Sequence, residues 1–296
     1  MSHIEVDRSI PFVDAYHHVT EPSKNPYTWL TEEGAVYSDY LGDYKLVRAD
    51  WGMGRLLREF YGSNVIKSVH VEAAWSGPDP VDETRYLATV TKRYGFPNAY
   101  VVLVDMVGSD ASAALDAHLE ASPLVRGVRI REHPEGDDPT FLANLRACAA
   151  RDLHFETRAW PGRLPRCEVS ARAVPEATFI VGASGMPMAQ TAEEFAQWKR
   201  EMAALAALPN VHCKVGGLGM LIHDWTVDAF RPWILTMIEL FGVERTIFGT
   251  NWPVDAVYAS YLETVDAYRR IIAEAGFSRA EQTRLLKENA EAFYRI

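Results

Sequence analysis

The side chains able to move a proton or hold an oxyanion gather at the C-terminal ends of short apolar runs. After the first run stand Asp14, Tyr16, His17 and His18; the second carries His70 and Glu72, and the third Asp105. The fourth offers Arg129 and Arg131, the fifth His154, Glu156 and Arg158, the sixth Ser184, the seventh Lys214, and the eighth Asn251, Trp252 and Asp255. Alternation along a strand places His70 with Glu72, Arg129 with Arg131, and His154 with Glu156 and Arg158 on common faces. A purely structural sheet would carry Val, Ile and Leu there. The chemistry on offer is proton transfer by His18, then Glu72, Glu156 or Asp255, with guanidinium groups stabilising a developing oxyanion. Guanidinium forks also match planar carboxylates, so Arg129, with help from Arg131, Arg158 or Arg163, predicts an anionic substrate.

The runs that must position these groups cover 11–16, 65–73, 99–106, 125–132, 153–159, 177–184, 210–217 and 245–251. Most are dense in Val, Ile and Phe, as strands buried on both faces are. Helical signals separate them. Thr191 with Glu194 and Ser278 with Glu281 have capping-box spacing, Pro139 follows two aspartates, and Gly276 closes the pattern that begins near Tyr258. Strands joined by crossovers long enough for helices imply a parallel sheet. Eight such units without a second compositional block predict a single α/β domain over 1–296, a (β/α)8 TIM barrel with its site at the C-terminal face of the strands. The Tyr- and Trp-rich connection over 19–64 reads as a rim or lid excursion.

Composition removes other classes. A formal charge of −10 argues against nucleic-acid or acidic-membrane partners. The three cysteines are scattered without metal-ligand spacing, which suggests free thiols in a reducing compartment. No apolar run reaches the length of a membrane span and the start lacks a signal-peptide pattern, so a cytoplasmic location is expected.

Read in order, VDAYHHV, SVHVEAAW, ETRYL, VRGVRI, ASGMP, LPNVHCKVGGLGM, FGTNWPVDA and ENAEAFYRI resemble the amidohydrolase-2 branch of the amidohydrolase superfamily. That branch holds metal-dependent hydrolases, L-fuconolactonase-like enzymes and 2-pyrone-4,6-dicarboxylate lactonase. The resemblance implies a distorted TIM barrel and a hydrolase of the lactonase type. It also exposes departures. Where the family has a metal-binding His-x-His, this chain has Tyr16 and His18; where it has His-x-Gly-x-Pro, Ala183 replaces the His; where it ends Gly-Ser-Asp, Asn251 replaces the Asp. Zinc needs about three protein ligands, and Tyr, Ala and Asn supply them poorly or not at all. The resemblance therefore implies a metal-independent enzyme with no cofactor, like the lactonases of the branch that work without metal, the alternative being a metal site relocated to His17, His18, His70 and Glu72.

The expected catalytic set is His18 as base with Asn251, Glu72 and Tyr16. The expected substrate contacts are Arg129, His17, His70, Glu156, Trp160, Arg163, Trp252 and Asp255. Each has a plainer alternative: the histidines stabilise a strand end, Glu72 and His70 form a buried pair, Arg163 lies on the surface, and the tryptophans fill the core at the mouth. Asp14 is read as structural, holding backbone amides, and His133 as solvent-facing. The expected function is hydrolysis of a small carboxylate-bearing lactone or ester. A lyase, isomerase or cyclase on the same scaffold and an inactive small-molecule binding barrel are the alternatives. The expected partner is a small anionic substrate, with homo-oligomerisation left open.

Overall fold

A computed structural model describes residues 6–31 and 38–296. Each of the eight apolar runs contains a strand: β1 Phe12–His17, β2 Val65–Val71, β3 Ala99–Leu103, β4 Val125–Ile130, β5 His154–Thr157, β6 Phe179–Val181, β7 Val211–Val215 and β8 Thr246–Phe248. They pair in sequence order, every pair parallel. Just beyond β8 the chain rejoins β1: Asn251 N donates to the Tyr16 carbonyl at 2.6 Å, and His18 N to the Trp252 carbonyl at 2.7 Å. A single-domain TIM barrel results, nearly closed, with helices in the crossovers.

Seven of the eight strands stop earlier than their apolar runs do, while β1 continues one residue past its own, to His17. At the mouth the backbone turns left-handed at Ala74 (φ 59°), Ala183 (48°), Ser184 (55°) and Asn251 (58°). Such a conformation breaks a ladder and is costly for residues other than glycine, and it clusters where strands hand over to loops that carry function. The helix signals are sound. Ser278 and Glu281 form a full capping box, Asp138 caps the helix that Pro139 opens, and Gly276 (φ 83°) follows the helix Tyr261–Glu274.

The seam between β1 and β8 is fastened by Asp14. Its carboxylate accepts from Thr250 N and Oγ1 (2.9 and 2.7 Å), Tyr261 Oη (2.8 Å) and Tyr16 N (3.1 Å). The structural role read for Asp14 is thus the one it has. His133, in contrast, does not face solvent: it is buried between Thr157, Ser170 and Cys167. Between β1 and β2 the chain makes an excursion over the mouth, built from short helices at Thr28–Thr31, Ser38–Leu41, Lys45–Arg48 and Met53–Glu59. Part of the lid expected over 19–64, residues 32–37, lies outside the described residues. Among the described residues no helix is long and apolar enough to cross a membrane.

Candidate active site

A pocket of about 410 Å³, part of it open to solvent, sits at the C-terminal mouth, lined by groups from both sides of the barrel. From the strand ends come Tyr16, His18, Ala73, Arg129, Arg131, Arg158 and Asn251; Met220 and Val254 come from later loops, and Trp29, Tyr40 and Leu41 from the excursion.

His18 is oriented by its own strand neighbour. Nδ1 lies 2.7 Å from the Val71 carbonyl oxygen, which can only accept, so Nδ1 carries the ring proton. In the neutral ring Nε2 then holds a lone pair, and Asn251 Oδ1 stands 3.4 Å from it. The Asn251 amide is set from behind, since Nδ2 donates to Asp255 Oδ1 at 2.8 Å. Two acceptors therefore lie side by side, too close for a water between them but placed to share one donor, such as a water molecule, that sits on the pocket side of the pair. Burial, followed by the Arg129 and His70 charges, pushes the His18 imidazolium well below its usual range and keeps the base neutral.

Arg129 is locked beside it. Nε donates to Glu72 Oε1 at 2.7 Å, Nη2 to the Glu72 carbonyl at 2.6 Å, and Nη1 to Tyr16 Oη at 3.1 Å. Nη2 also stands 2.7 Å from Glu72 Oε1, so of the five guanidinium N–H groups one, on Nη1, remains for a ligand. Tyr16 Oη, accepting from Arg129, keeps its own hydrogen for an acceptor in the pocket. Arg131 Nε lies 3.8 Å from the same Glu72 oxygen, and Arg158 Nη1 3.5 Å from Tyr40 Oη. Three guanidinium groups thus line the pocket, with Glu72 as the carboxylate among them. The mouth of this acidic protein is locally cationic.

Several expected site residues lie elsewhere. Glu72 does not pair with His70; burial raises its carboxyl, but Arg129 and Arg131 outweigh that and hold it below the usual range, as a fixed anion with Oε2 on Ala74 N. His17 bonds Ser68 Oγ at 2.8 Å and packs on Phe60, away from the pocket, because alternation turns it opposite to His18. His70 accepts from Val19 N at 3.0 Å and lies 3.8 Å from Glu83. Glu156 is consumed inside the barrel by Lys214 (2.7 and 2.9 Å), Tyr294 Oη (2.6 Å) and His154 (3.2 Å). Trp252 is core, packed on Trp51 and Tyr261. Trp160 sits beneath Arg163, which reaches toward exposed Glu132 at 3.8 Å; neither lines the pocket. Asp255 is buried behind Asn251 and touches the pocket only through it. Trp29, Tyr40, Leu41 and Met220 were not foreseen, and the one hint was the aromatic richness of the excursion.

A family model for amidohydrolases matches residues 48–296. The chain belongs to the amidohydrolase family. It is 28% identical to an L-fucono-1,5-lactonase of Burkholderia ambifaria, over 96% of this chain and 95% of that one. A zinc-bound amidohydrolase of Burkholderia multivorans shares the fold with a TM-score of 0.82 at 21% identity, covering 97% of this chain and 99% of that one. A 2-pyrone-4,6-dicarboxylic acid hydrolase homologue of Pseudomonas putida superposes with a TM-score of 0.71 at 19% identity, over 97% and 98% of the two chains.

The residues of this amidohydrolase do not fit a zinc centre of the kind its fold implies. Among the described residues no three His, Cys, Asp or Glu are placed to share a metal ion. At the three positions where the resemblance puts ligands or the water-orienting carboxylate stand a tyrosine that accepts from Arg129, an alanine, and an amide held by Asp255. The guanidinium of Arg129 lies close enough to His18 to depress its protonation, and it would repel a divalent cation there.

Proposed function

We propose that this protein hydrolyses a small carboxylate-bearing lactone or ester without a metal, using His18 as general base. The observation that carries the reading is the pair of adjacent acceptors, His18 Nε2 and Asn251 Oδ1, 3.4 Å apart in a pocket lined by three arginines. A water molecule on the pocket side of the pair donates one hydrogen to each and turns its lone pair toward the acyl carbon. As it attacks, Nε2 takes the proton and the carbonyl oxygen becomes an oxyanion that receives an Nη1 hydrogen of Arg129 and the Tyr16 hydroxyl hydrogen. Preorganised donors of this kind contribute roughly 3–4 kcal/mol each in a site screened from water. The acyl C–O bond then breaks, and the leaving oxygen takes the proton from Nε2, which restores the neutral ring.

Arg131 and Arg158 line the same pocket and can anchor a carboxylate there, and Trp29 and Tyr40 offer flat walls for a planar ring. The similarity to an L-fucono-1,5-lactonase supports the reaction class, while the arginines favour an acid over a neutral sugar lactone. The test is a panel of lactones, with and without a carboxylate, incubated in ¹⁸O-water. The expected result is turnover confined to the acids, with one ¹⁸O in the new carboxyl. A ring-retained or decarboxylated product would replace hydrolysis by lyase or isomerase chemistry. A ligand that binds and returns unchanged would make this a binding barrel.

A further inference from the structure

Asp255 lies in the turn Val254–Val257 after β8, 1% exposed and outside the pocket lining. Its Oδ1 accepts from Asn251 Nδ2 at 2.8 Å and its Oδ2 from Gly219 N at 3.1 Å. The fold makes room for this contact: a Cβ at Gly219 would stand 2.9 Å from Oδ2. Among the described residues no arginine, lysine or histidine is hydrogen-bonded to the carboxyl. The charged or titratable groups around it are Asp14 from β1, Tyr268 from the helix Tyr261–Glu274, and, across the Asn251 amide, His18; the segment after β7 contributes backbone N–H of Gly219 and Met220.

An amide has one donor end and one acceptor end, so whichever end meets Asp255 determines which end meets the base. With an ionised Asp255 the amide must point Nδ2 at the carboxylate, and Oδ1 then faces His18 Nε2, the arrangement the site needs to hold water. With a neutral Asp255 the carboxylic O–H can donate to Asn251 Oδ1 instead. The amide then turns over, and Nδ2 donates to His18 Nε2, covering the lone pair that would accept the proton.

We propose that Asp255 is a positioning residue that, through the Asn251 amide, exposes or covers the lone pair of His18. This rests on the reading of His18 as the base. Burial pushes the Asp255 carboxyl up to about 7 against the hydrogen bonds from Asn251, Gly219 and Met220, which brings the exchange into the neutral range.

The test uses the free, full-length protein labelled with ¹⁵N-histidine and followed by NMR from pH 5.5 to 8.5. His18 Nε2 is expected to shift, with an inflection near 7, from the resonance of a nitrogen covered by the Asn251 amide to that of a lone pair open to water. Asp255→Asn, whose neutral amide cannot ionise, abolishes the inflection. Asn251→Ala, which keeps the carboxyl but cuts the link, abolishes it as well, so the proposal stays testable if one variant does not fold. In turnover, Asp255→Asn lowers kcat by roughly 10²-fold, the low end of what a positioned base contributes, and removes the matching inflection from the rate profile with KM little changed. A wild-type resonance that is flat with pH, or an inflection that persists in either variant, overturns the proposal. Because NMR needs no substrate, a lactone panel that is never turned over would sink the hydrolase reading and leave this result standing.

Discussion

At the scale of single residues, the site depends on how few groups do several jobs. Arg129 holds Glu72, supports Tyr16 and depresses His18 at once. Arg129→Ala is expected to lower kcat/KM on the order of 10²–10⁴-fold, and Arg129→Lys to recover little, since an ammonium cannot reproduce the fork. Kinetics within threefold of wild type for both would make the arginine structural. The sequence places His18 as a base that titrates near neutrality, and here the structure corrects it. Burial and the neighbouring Arg129 lower its range, so the His18 acid limb in kcat/KM is expected well below 6.5. An inflection near 7 in the same profile is expected from Asp255, whose carboxyl burial pushes up to about 7. Asn251→Asp would set a second carboxyl where the amide now lies 2.8 Å from Asp255. Like charges in a dry site and repulsion of an anionic substrate should together cost roughly two orders of magnitude in activity. Wild-type rates in that variant would mean that Asn251 is a replaceable residue.

At the scale of elements, the strands were legible and their depth was not. Tyr16, His18 and Arg129 stood out in the sequence as polar residues at strand ends, and all three line the pocket. Glu156 sits on an equally polar strand end, but its partner Lys214 is on β7, two strands away, and only a closed barrel brings them together. His17 and His70 misled because neighbouring polar residues look alike in a sequence whichever side of the strand they occupy. The pocket wall from the excursion was hidden because short, irregular helices carry no period. Asp14 is the fastening that makes the mouth possible, and Asp14→Ala leaves Thr250, Tyr261 and Tyr16 without their buried acceptor. A loss of roughly 3 kcal/mol or more is expected, a fall in Tm of about 6–12 °C. A Tm within 2 °C of wild type would show that the β1–β8 seam does not depend on it.

At the scale of the whole molecule, proton linkage sets an acid limit. Burial lowers His17, His18, His118, His133, His154 and His212, so the native state keeps them neutral where the unfolded chain protonates them below about 6.5. The stability they contribute is present above that value and is lost as pH falls. Asp14 and Asp255, raised to about 6 and about 7, work in the opposite direction: their contribution is full below about 4 and fades as pH climbs through 6 to 7. Six groups against two decide the sign. Tm is expected to drop between pH 7 and pH 5, and a Tm that is flat or rises over that interval would contradict it.

The central claim, a lactonase-type site rebuilt around guanidinium groups in place of a metal, is tested most directly by metal content and activity on one preparation. The protein is dialysed exhaustively against chelator, its Zn, Mn and Fe are measured, and hydrolysis of a carboxylate-bearing lactone is followed before and after. Well under one equivalent of metal with undiminished kcat/KM is the expected result. A stoichiometric metal that leaves together with the activity, and restores it on return, would contradict the claim.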